Sequence, residues 1–78
     1  MVAFSTDTIA LKKLMIDNGI ETITDLSEKS DVNRNTLTKV LSGKAQPSAD
    51  VMQKLIIALG IEPSTAGAIF FVPNLRDV

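Results

Sequence analysis

Between Asn33 and Lys39 the chain reads Asn-Arg-Asn-Thr-Leu-Thr-Lys, and this run holds its densest set of side chains able to recognise another molecule. Arg34 carries a planar fork of donors that matches O6 and N7 of guanine, and Asn35 carries an amide that matches N6 and N7 of adenine. Thr38, one helical turn beyond Arg34, has a methyl for thymine or a hydroxyl for a phosphate. Lys39 is a flexible point charge suited to a phosphate, and Asn33 is a good N-cap for a helix carrying the others. Ordinary solvated helix faces contain the same residue types, so the meaning of this cluster depends on the elements around it.

Those elements are spelled out from Thr22 to Ser42, TITDLSEKSDVNRNTLTKVLS. A first short helix, capped by Thr22, turns Ile23 and Leu26 inward and keeps Ser27 small where a second helix crosses it. Asp31 makes the turn, tolerating a left-handed conformation better than most residues, and Val32 plugs the corner. The second helix opens at Asn33 and is held by Leu37, Val40 and Leu41, leaving Asn33, Arg34, Asn35, Thr38 and Lys39 on the leading face. Two helices crossing over a turn this short form a helix-turn-helix. The amide end of the Thr22-capped helix is suited to a phosphate, as helix N-termini are.

The combination Val32-x-Arg34-x-Thr36-Leu37, Gly43-Lys44, Pro47-Ser48 and Leu59-Gly60 resembles the Cro/CI-type (XRE) helix-turn-helix domain of phage repressors and bacterial regulators, over roughly Leu11 to Ile61. The resemblance implies a compact, all-α, five-helix lambda-repressor-like domain with the helix-turn-helix at helices 2 and 3. It further implies a double-stranded operator as partner, homodimerisation often through the C-terminal end, and loop positions at Lys44 and Gln46 lying along the DNA backbone. Two residues depart from the family pattern. Ile23 stands where a polar residue such as Gln usually follows the cap, and Asp31 stands where the turn usually has Gly.

The remaining elements follow from caps and spacing. Ser5 is a candidate N-cap for the first helix, with Asp7 in its first turn and Phe4 and Ile9 at the spacing of a hydrophobic staple. That helix runs through Leu11, Leu14 and Met15 and stops at Asn18-Gly19; Lys12 and Lys13 read as its solvated face. Pro47-Ser48 opens the fourth helix, whose inner stripe is Met52, Leu55, Ile56 and Leu59, with Gly60 as its stop. A fifth helix is expected from Ser64 to about Phe71. Ile57 falls outside the inner stripe, and Ala68-Ile69-Phe70-Phe71-Val72 is a longer apolar run than one helix face can bury. Core completion takes two or three of these, so Ile57, Ile69, Phe70, Phe71 and Val72 form a candidate protein interface. Residues 1–78 are expected to form one domain with loose ends at 1–4 and 74–78.

Composition narrows the function. Seventy-eight residues with no Cys, no His and only three aromatic side chains make a small aliphatic core, one that dimerisation would help stabilise. The chain has no thiol nucleophile or thiolate metal site, no imidazole base, no glycine-rich phosphate loop and no paired carboxylates. It therefore reads as a non-enzyme without metal, cofactor or small-molecule ligand. No leader and no apolar run of membrane length is visible, so the expected location is the cytoplasm. The net charge of −1 is unusual for a protein that binds phosphates. The local charge from Ile23 to Gln46 is nonetheless +1, and no acid interrupts Arg34 to Lys44. Two functions fit: a Cro-like regulator that reads operator DNA, or a phage modulator (antirepressor) that uses the same fold to inactivate a partner repressor. An antitoxin would differ from the second only in its partner.

Overall fold

The computed structural model describes residues 3–74. Five helices follow one another as α1 (Thr8–Asp17), α2 (Ile23–Ser30), α3 (Arg34–Leu41), α4 (Ala49–Leu59) and α5 (Pro63–Phe70). A two-stranded antiparallel sheet, β1 (Ala3–Ser5) and β2 (Val72–Asn74), brackets them. The sheet pairs Ala3 with Asn74, Phe4 with Pro73 and Ser5 with Val72. This overturns the expectation of loose ends for residues 3–4 and 74; residues 1–2 and 75–78 lie outside the described residues.

Pairing also explains why Ser5 does not cap α1. Residues 3–5 are drawn into extended conformation against β2, so the helix starts later and Asp7 is its cap. The Asp7 carboxylate accepts from Ala10 N–H at 3.0 Å, while Asp7 N–H donates to Ile69 O at 2.7 Å. The staple between Phe4 and Ile9 is lost with it, because Phe4 is in the strand and Ile9 is exposed. At the other end α1 stops at Asn18, whose Nδ2 donates to Leu14 O and, across the fold, to Leu59 O at 3.1 Å.

The other caps are the residues expected. Thr22 Oγ1 accepts from Asp25 N–H at 3.1 Å, Asn33 Oδ1 from Asn35 N–H at 2.8 Å, and Ser48 Oγ from Val51 N–H at 3.3 Å. Each satisfies one of the unpaired donors of a helix start. α5 has no side-chain cap; Pro63 at its first turn supplies the fixed φ instead.

The core contains Leu11 and Met15 of α1, Ile20, Leu26 of α2, Val32, Leu37, Val40 and Leu41 of α3, Leu55 and Leu59 of α4, Ile61, and Ala66, Ile69 and Phe70 of α5. α2 packs on both α3 and α4, and α1 on α3 and α5. Phe70, 1% exposed, is the largest fully enclosed side chain. Ile69 and Phe70 are therefore core residues and drop out of the candidate interface.

Candidate nucleic-acid interface

The corner between α2 and α3 is built by sterics and two short hydrogen bonds. Asp31 adopts φ 60°, ψ 33°, the left-handed conformation its position requires, and its N–H donates to Ser27 O at 2.9 Å. Ser27 is half-buried, and its Oγ donates to Val32 O at 2.6 Å. A small residue is needed there for close approach, and a hydroxyl additionally satisfies the Val32 carbonyl as the chain turns. Ser30, buried, donates back to Leu26 O at 2.6 Å. Val32, Leu37, Val40 and Leu41 are buried and seat α3 against the domain.

At about 100° per residue, those anchors leave Arg34, Asn35, Thr38, Lys39 and Ser42 spread over about 140° of the opposite side of α3. All five are exposed. Among the described residues the only ion pair is Lys54–Asp50, at 3.2 Å on α4, so Arg34, Lys39 and Lys44 hold no carboxylate. Two of the predicted contact residues are partly committed. Asn33 spends Oδ1 on its cap, leaving Nδ2 free, so the bidentate adenine geometry falls to Asn35 rather than Asn33. Thr38 donates its hydroxyl proton to Arg34 O at 2.9 Å, which favours its methyl as the contacting group.

Thr22 is exposed at the start of α2, where its Oγ1 takes up the Asp25 N–H. Lys44 is exposed in the loop after α3. Gln46 is also exposed, but both ends of its amide are used internally: Nε2 donates to Phe70 O, and Oε1 accepts from Thr6 Oγ1 at 2.9 Å. Of the predicted interface residues, Ile57 is 74% exposed, Phe71 49% exposed and Val72 half-buried. Phe4, which sequence reasoning assigned to a staple, meets Phe71 edge to face at 5.7 Å between ring centroids. Neither the Phe4–Phe71 pair nor the Gln46 bonds carry a periodic signal, because each joins segments far apart in the chain.

Beside α3 a shallow groove of about 440 Å³ is lined by Met15, Ile16, Ile20, Ile23 and Leu41, with Lys12 and Glu21 among its polar members. Ile23 thus has a place: it is the half-buried wall of this groove.

An exposed, polar second helix fixed across a tight left-handed corner defines a helix-turn-helix DNA-binding protein. The chain belongs to the family of Cro/C1-type HTH DNA-binding domains, whose match spans residues 10–66 and so takes in all of α2, α3 and α4. No curated protein and no solved structure matches the chain. Among the described residues no helix is long and apolar enough to cross a membrane.

Proposed function

We propose that this protein is a sequence-specific transcriptional regulator of Cro/C1 type that inserts α3 into the major groove of an operator. The observation that carries this reading is the face formed by Arg34, Asn35, Thr38 and Lys39, exposed and, among the described residues, free of carboxylate partners on a helix whose other side is locked into the core. Arg34 reads a guanine, Asn35 an adenine, and Thr38 a thymine methyl. Lys39, Lys44 and the amides after Thr22 hold phosphates and set the register. The Phe4–Phe71 pair supports dimerisation through the terminal sheet, placing two α3 helices on half-sites about one DNA turn, roughly 34 Å, apart. Such a protein works in the cytoplasm, where bacterial and phage operators are.

Arg34→Ala is the direct test. It is expected to weaken operator binding by ~1–3 kcal/mol and to relax specificity at one base pair. Affinity unchanged on every duplex tried would overturn the reading.

A second reading is favoured by the apolar groove beside α3 and by the overall charge of −1. Here the protein docks on a partner repressor, its cationic face meeting acidic groups and the groove taking an apolar side chain. Mobility-shift titration at two salt concentrations separates the two. A DNA binder loses affinity steeply with salt; a modulator gives no shift alone yet releases a co-expressed repressor from its operator.

A further inference from the structure

The loop joining α3 to α4 is held at three points. At its start Lys44 N–H and Ala45 N–H both donate to Lys39 O, at 2.9 and 3.2 Å, around Gly43 at φ +79°. At its end Pro47 is buried. Between them the Gln46 amide bonds to Phe70 O, at the C-terminal end of α5, and to Thr6 Oγ1, between β1 and α1. An exposed glutamine can satisfy its amide with water at no cost in side-chain freedom. Here it is instead directed to two partners from the opposite ends of the described chain. Lys44, two residues earlier, is exposed and holds no carboxylate among the described residues.

We infer that Gln46 is the positioning residue of the DNA-facing loop: its amide ties the loop to the terminal layer and so fixes where Lys44 is presented relative to α3. The inference rests on the DNA-binding reading above and gives Gln46 a role different from direct phosphate contact. A loop that is already fixed does not have to be ordered when DNA binds, and that ordering otherwise subtracts from affinity. Thr6 is the second half of the device, because its hydroxyl holds the Oε1 end of the amide.

The test is a salt titration of wild type, R34A, K44A, Q46A, K44A/Q46A and T6V on a duplex selected from a random pool by the wild-type protein, with a thermal melt of each. Q46A is expected to weaken binding about threefold to tenfold. It should flatten the dependence of log affinity on log salt by up to ~0.9, as loss of the Lys44 contact would. The double variant should bind no worse than K44A, and T6V should move in the same direction as Q46A. A Q46A protein that melts earlier but keeps affinity and salt slope overturns the inference. So does an additive double variant with an unchanged slope, which makes Gln46 a direct contact. A folded wild type that selects no duplex overturns the DNA reading and this inference with it. That outcome differs from a competent wild type, weakened by R34A, on which Q46A has no effect.

Discussion

Asp31 shows how one position serves two demands that conflict. Its backbone must be left-handed for α3 to cross α2, and Asp accepts that at modest cost. Its carboxylate, however, is exposed one residue before Val32, at the corner that leads into α3, the helix proposed to enter DNA. Replacing Asp31 by Asn keeps a residue tolerant of φ 60° and removes the charge. Operator affinity should rise roughly twofold to fivefold at low salt and converge with wild type at high salt, as for any screened repulsion. Unchanged affinity in D31N at low salt would mean that the carboxylate lies outside the reach of the phosphates. The left-handed turn itself was legible from the sequence, because Asp at the centre of a short polar break between two apolar patterns is a local signal. The hydrogen bond from Ser27 to Val32 O was not: sequence reasoning saw only that Ser27 is small, whereas its hydroxyl also completes the corner.

At the level of elements, capping and inward spacing located α2, α3 and α4, since each depends on residues within a turn of one another. Asn33 now has two functions that can be separated. Asn33→Ala should cost about 1 kcal/mol of stability through loss of the α3 cap, read as a lower midpoint in thermal or denaturant unfolding. Asn33→Ser restores the cap through its hydroxyl but has no amide donor. If Asn33 Nδ2 touches a base, N33S will unfold like wild type and still bind operator more weakly; wild-type binding by N33S would assign Asn33 to capping alone. The start of α1 was misread for the opposite reason. Ser5 is as good a cap as Asp7 by local chemistry, and what decides between them is a strand partner at Val72. Three-residue strands carry too little alternation to be seen in a sequence, and proline at residue 73 argues against one, being tolerated there because β2 is an edge. The same nonlocality hid the burial of Ile69 and Phe70, which α5 turns into the core while Phe71 stays outside.

The whole molecule combines a small aliphatic core with an aromatic pair left at the surface by the terminal sheet. Phe4 and Phe71 are each about half exposed, in a chain of only three aromatic residues, the third being the enclosed Phe70. The dimerisation proposed through this corner would make stability depend on concentration, because association draws the folding equilibrium with it. Phe71→Ser should shift the protein toward monomer in sedimentation, remove the concentration dependence of the melting temperature and weaken binding to a two-half-site operator more than to a single half-site. A wild-type protein whose melting point is the same at micromolar and millimolar concentration would refute the dimer. Resemblance gave the family and the helix-turn-helix correctly. The terminal corner lay beyond it, since the family match ends at residue 66, before β2 begins.

The ladder between β1 and β2 also dictates an order of assembly. Ala3 and Asn74 lie at opposite ends of the described chain, so closing that ring in an unstructured polypeptide would cost about 4 kcal/mol of chain entropy for a three-residue zipper. The helices must stack first and bring the two tips together. On this entropy argument the strands are expected to form last and to fray first. The Asp7-to-Ile69 bond and the Gln46 tether join the segments next to them, so loss of the ladder would bear on the loop carrying Lys44 more directly than on α3.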